Sequence, residues 1–160
     1  MAVDIKEGEI GSAYDAIVFP NINSCLSITC ICGGSLVGGH AVLIPEKGQL
    51  PINDIVDGLA LRSATCLKLF IIGDNTTWNN NLKLISNKYT SIQSIVNKLK
   101  PKSSISNAAG YKPVVTHDIY DWLKGKSSVD IEFSLTNRKV TVWKRVANTR
   151  TATIFLKEFF

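Results

Sequence analysis

The feature that most constrains this chain is a pair of glycines, Gly33 and Gly34, set between two apolar, β-rich runs, Leu26 to Cys32 and Leu36 to Ile44. Two glycines between such runs read as the tight connection of an antiparallel hairpin. Once the turn is placed, the register follows: Cys32 faces Ser35, Ser27 faces His40 and Cys25 faces Val42. Side chains alternate along strands, so Cys25, Ser27, Thr29 and Ile31 share one face with Leu36, Gly38, His40 and Val42. Cys25 and His40 are then diagonal neighbours, roughly 7–8 Å apart at the backbone, and their side chains can lean together. Leu26, Ile28, Cys30 and Cys32 point to the opposite face. The placement depends on a regular ladder, since a bulge at Gly38 or Gly39 would break it.

Around the hairpin, Ala16 to Phe19 predicts a strand stopped by Pro20. Ile52, Ile55, Val56, Leu59 and Ala60 recur at helical spacing, and Cys66 to Ile72 predicts a strand ending at Gly73. Tyr89, Ile92, Ile95, Val96 and Leu99 mark a second helix that ends before Pro101. Pro113 to Thr116 can supply a strand, and Val129 to Leu135 with Lys139 to Val146 predicts a closing hairpin around Thr136-Asn137-Arg138. The Asn- and Ser-rich stretches 75–81 and 103–107 read as surface loops, and 151–160 is ambiguous. Strands interleaved with helices predict an α/β or α+β fold, a mixed sheet layered with helices. At 160 residues with 45% hydrophobic content, one domain over 1–160 is expected, with a core of about 15–146 and a C-terminal extension, 147–160.

Charge and cysteine usage narrow the function. The net charge of +5 is spread along the chain, and Arg138, Lys139, Lys144, Arg145 and Arg150 on alternating strands read as a solvated face. Nucleic-acid binding with Trp143 as a stacking surface is the minor option. No run has signal-peptide character or the roughly 18 apolar residues that span a bilayer, which predicts no membrane insertion. Four cysteines are too few for a disulfide scaffold of this size, and a reducing cytosolic compartment is expected; delivery by a specialised secretion system would leave no trace here. No cofactor is called for. Zinc on Cys30, Cys32 and His40 would need ligands from opposite faces and a fourth that the spacing lacks.

Cys25 follows the polar loop Asn21-Ile22-Asn23-Ser24, whose amides could meet a developing oxyanion. An imidazole in contact would lower its thiol from about 8.5 and supply thiolate near neutral pH. Cys30, Cys32 and Cys66 read as packed, His117 as a loop or helix-cap residue, and Asp54 and Asp57 as an outer helix face.

Asn23-Ser24-Cys25 with Gly39-His40-Ala41-Val42-Leu43-Ile44-Pro45 resembles the Gly-Ser-Cys and His-x-x-Leu-Pro hairpin of CheD-type chemoreceptor glutamine deamidases. Leu67 to Gly73, the helix ending at Leu99, Lys112 to Val115 and the hairpin from Val129 to Arg145 follow in the same order. The Cys-then-His hairpin also resembles cytotoxic necrotizing factor-type toxins, which deamidate a glutamine in host small GTPases. The resemblance implies attack by Cys25 on a glutamine side-chain amide of a protein substrate, thioester formation, ammonia release and hydrolysis to glutamate. It also marks two departures. Phe19 stands where the family has a histidine-orienting Thr, and Asn23 replaces a glycine. Ser27, Asn21 or a backbone carbonyl could orient the ring instead, the carbonyl being favoured because it needs no special side chain. A deamidase fold kept as a binding module without turnover is the alternative that Phe19 raises. Oligomeric state is left open.

Overall fold

A computed structural model describes residues 2–102, 112–123 and 127–160. The loop expected at 103–107 lies outside the described residues. The architecture is mixed α/β, with two five-stranded sheets and four helices among the described residues. One sheet holds β1 (Ala2–Asp4), β3 (Ala16–Ile22), β8 (Ser128–Ser134), β9 (Lys139–Val146) and β10 (Thr149–Glu158), in that order. The other holds β2 (Ile10–Ala13), β5 (Leu36–Ala41), β4 (Leu26–Ile31), β6 (Lys68–Gly73) and β7 (Val114–Asp118), also in that order. The pairs β1–β3 and β6–β7 are parallel and the remaining ladders antiparallel.

Alternation along β4 and β6 buries both faces of the hairpin sheet. Leu26, Ile28, Cys30, Leu69 and Ile71 pack against α1 (Ile52–Arg62), α2 (Asn75–Ile85) and α3 (Ile92–Leu99) through Ile55, Val56, Leu59, Trp78, Leu82, Ile95 and Leu99. Phe70, Ile72, Ile31 and Leu36 face Ile17, Phe19, Ile131, Phe133, Val140 and Val142 of the other sheet. The chain is therefore a three-layer stack of sheet, sheet and helices, where the sequence predicted a single sheet. The difference has a physical cause: strands wanted on both faces carry apolar residues at successive positions, as β4 does, and a second sheet supplies the extra cover.

Several elements differ from their sequence expectation. Residues 75–81 are the start of α2: Asp74 caps it by accepting from the Thr77 N–H at 3.1 Å, and Trp78 and Leu82 are buried on its inner side. β3 runs through Pro20, because the ladder to β8 shifts register between Phe19 and Ile22 and needs no N–H there. His117 lies on β7 with its ring stacked on Phe155, 3.9 Å between centroids, so it is neither loop nor cap. Residues 149–158 form β10, and Phe159 is fully buried between the sheets. On the outer face, Arg145 and Arg150 pair with the buried carboxylate of Asp130, and Arg150 lies 4.1 Å over the Trp143 ring. No helix among the described residues is long and apolar enough to cross a membrane.

Candidate active site

The β4–β5 ladder is regular from Leu26↔Ala41 to Ile31↔Leu36, with Ser27 opposite His40. No bulge intervenes at Gly38 or Gly39, so Cys25 and His40 fall on the face turned toward the second sheet. Cys30 and Cys32 lie among the helix-facing residues with Cys66. A hydrogen bond with the Cys66 thiol, reinforced by burial, keeps Cys30 protonated.

Cys25 Sγ, a ring nitrogen of His40 and a carboxylate oxygen of Glu7 all lie within 4.8 Å of one another. The Cys25 thiol donates toward Glu7 Oε1 at 3.7 Å. His40 Nδ1 is 2.8 Å from the carbonyl oxygen of Ile5, which can only accept, so Nδ1 carries the proton and Nε2 the lone pair. Nε2 is buried without a hydrogen-bond partner among the described residues. This is the arrangement of a general base: one nitrogen pinned by the backbone, the other free to take a proton.

The segment between β1 and β2 builds this site, although no motif in the sequence marks it. Ile5 supplies the carbonyl, Gly8 N–H donates to His40 O at 2.8 Å, and His40 N–H donates to Glu9 O at 3.0 Å. Between them the turn at Glu7 and Gly8 lays the Glu7 side chain over the thiol. Gly8 takes φ +77°, and a Cβ there would stand 2.3 Å from Gln49 Cβ, so only glycine closes this turn. Nothing local in the sequence tells that residues 5–9 return to His40, because the contact is made across some 30 positions of chain.

Phe19 does not orient His40 through a hydrogen bond. Its ring meets the imidazole edge-on, 5.8 Å between centroids, and occupies the space above Gly38, where a Cβ would come within 2.7 Å of Phe19 Cζ. Ser27 is also excluded as the orienting partner, since its hydroxyl donates to Ile72 O at 2.6 Å. Asn21 adopts φ 59° at the β3 irregularity and donates its backbone N–H to Asp130 Oδ1 at 2.9 Å. Asn23 Oδ1 accepts from the Ser24 N–H at 2.6 Å, and Ser24 O accepts from Trp78 Nε1 at 2.9 Å. The amides of Asn21 and Ser24 are thus engaged in holding the loop, and neither is free to receive an oxyanion in this state.

Cys25 is 3% exposed and His40 0%, so the pair lies beneath the Glu7 turn. One further expectation is corrected. The thiol is not lowered toward neutrality: burial first, then the Glu7 carboxylate beside it, pushes it up to about 12. Burial likewise lowers His40, against the opposing pull of the Ile5 carbonyl, Glu7 and Glu9. The resting pair is neutral thiol and neutral imidazole. Asp57 is bound to Lys88 at 2.7 Å and to the Tyr89 hydroxyl, which ties α1 to the segment leading into α3.

Compared by sequence, the chain matches no protein-family model and no curated protein. Compared by structure, it is similar to the C-terminal domain of CNFy from Yersinia pseudotuberculosis, at a TM-score of 0.37 and 11% identity. The match covers 90% of this chain and 53% of that one, so the chain spans about half the length of the solved domain.

Proposed function

We propose that this chain is a cysteine-dependent protein-glutamine deamidase. The observation that carries the reading is the carbonyl-pinned imidazole, its Nε2 lone pair unused, beside a cysteine on the same hairpin face. In the reaction, Nε2 takes the Cys25 proton as sulfur attacks the glutamine side-chain carbonyl. The tetrahedral oxyanion collapses with cleavage of the C–N bond, and His40 returns the proton to departing ammonia. Water, deprotonated by the same nitrogen, then hydrolyses the thioester to glutamate and restores the thiol. Thiol and imidazole titrating as a neutral pair suit this concerted transfer, and the Glu7 turn must withdraw for a substrate amide to reach sulfur.

The CheD-like hairpin residues support a chemoreceptor substrate, and the toxin-like hairpin supports a host or competitor protein reached through a secretion system. A second reading, a non-catalytic binding module, is favoured by the buried, protonated thiol. Mass spectrometry of bacterial and eukaryotic lysates treated with the purified chain separates the two. A deamidase converts particular glutamines to glutamate, and Cys25→Ser and His40→Ala each reduce the conversion by about 10³-fold or more. Lysates unchanged by the wild-type chain would leave the binding module.

A further inference from the structure

The cluster around Cys25 has a second chemical identity. Sulfur, imidazole nitrogen and carboxylate oxygen are the three donor types that zinc accepts, whereas calcium and magnesium take oxygen sets. We propose that Glu7, Cys25 and His40 form a three-ligand site for a Zn²⁺-class ion, and that filling it holds the nucleophile out of reaction. The inhibitory part of this inference rests on the deamidase reading; the metal site itself does not.

Four features support it. The three donor atoms converge within 4.8 Å. Zn–S of about 2.3 Å and Zn–O of about 2.1 Å at a tetrahedral angle separate the two donors by roughly 3.6 Å, and Cys25 Sγ stands 3.7 Å from Glu7 Oε1. That separation, spanned here by a thiol hydrogen bond, also matches two ligands of one ion. His40 is fully buried, its Nε2 has no hydrogen-bond partner among the described residues, and its Nδ1 donates to the Ile5 carbonyl, the outer contact that fixes a ligating histidine in the right tautomer. Finally, thiolate and carboxylate together cancel the dication, so the filled site brings no net charge into the enclosed space around Cys25 and His40. On binding, the metal–sulfur bond forms and the thiol proton leaves to solvent. Glu7 is exposed and marks the side from which the ion enters, and the fourth position remains for water.

This ligand set shares only His40 with the combination of Cys30, Cys32 and His40 that the strand faces rule out. Cys30 and Cys32 belong to the helix-facing layer, while Glu7 arrives from a segment distant in sequence.

The test uses the reduced, chelator-treated full chain titrated with Co²⁺ alone and then with Zn²⁺. One equivalent of Co²⁺ should give the near-ultraviolet thiolate charge-transfer band and visible bands of tetrahedral strength, and Zn²⁺ should displace both. Cys25→Ser should abolish the charge-transfer band. Glu7→Gln, at an exposed position where folding is not at stake, should weaken Zn²⁺ binding about tenfold or more. Absence of the band at one equivalent, or its persistence in Cys25→Ser, would overturn the site, the latter by placing the metal on the other cysteines. Because the readout is spectroscopic, a chain that binds Co²⁺ but deamidates nothing retains the site and loses only the deamidase reading. An active chain insensitive to Zn²⁺ loses the inhibitory inference alone.

Discussion

Glu7 is the residue on which the behaviour of Cys25 turns. Its carboxylate lies against the thiol and adds to the effect of burial in holding that thiol near 12. Since the thiolate is the species that reacts with iodoacetamide, wild-type Cys25 should be alkylated more slowly at pH 7.5 than cysteine in an unfolded peptide. Glu7→Gln removes the negative charge and should speed alkylation of Cys25 severalfold while leaving the other three cysteines unchanged; peptide mapping of the alkylated sites checks both. Equal rates in the two chains would remove Glu7 from the site. His40 carries a pH dependence of definite sign. Its folded form is held neutral by burial, with the Ile5 carbonyl, Glu7 and Glu9 acting the other way. A folded value below the unfolded one means that the stabilisation is complete above about 6.5 and is lost as pH falls through the folded value. Urea midpoints in the presence of chelator should therefore fall between pH 7.5 and 5 in the wild type, and by less in His40→Gln.

At the scale of elements, the β4–β5 hairpin was the most legible part of the chain. A two-glycine turn and strict alternation fix a register with few free choices, and Ser27 opposite His40 follows from them. α1 and α3 were legible for the same reason, as Ile52, Ile55, Val56 and Leu59, or Ile92, Ile95, Val96 and Leu99, repeat at helical spacing. α2 was not, because Asn75, Asn79, Asn80 and Asn81 carry turn propensity and only Trp78 and Leu82 mark its buried side. Tertiary burial of one tryptophan outweighs that propensity. Trp78 is fully buried and its Nε1 donates to the Ser24 carbonyl next to Cys25. Trp78→Ala should cost about 3–5 kcal/mol in equilibrium unfolding. It should also loosen the loop before Cys25. A loss below about 1 kcal/mol would mean that the helix does not anchor that loop.

For the whole molecule, what the sequence could not convey is how its ends return to the middle. Ile5 and Glu7 reach His40 and Cys25, and Phe159 enters the core between the sheets, through contacts with no local signature. The same limit hid the second sheet, since β1, β3, β8, β9 and β10 are gathered from both ends of the chain. The pair read from the hairpin is thus covered by a turn from the N-terminal segment. The central claim is hydrolysis of a glutamine amide through sulfur at position 25. It is tested most directly by incubating lysate proteins with the chain in heavy-oxygen water and mapping the new glutamates by mass spectrometry. The account predicts particular sites that each acquire one heavy oxygen with the wild-type chain and none above background with Cys25→Ser. Glutamates that form equally with Cys25→Ser, or no conversion with the wild type, would contradict it.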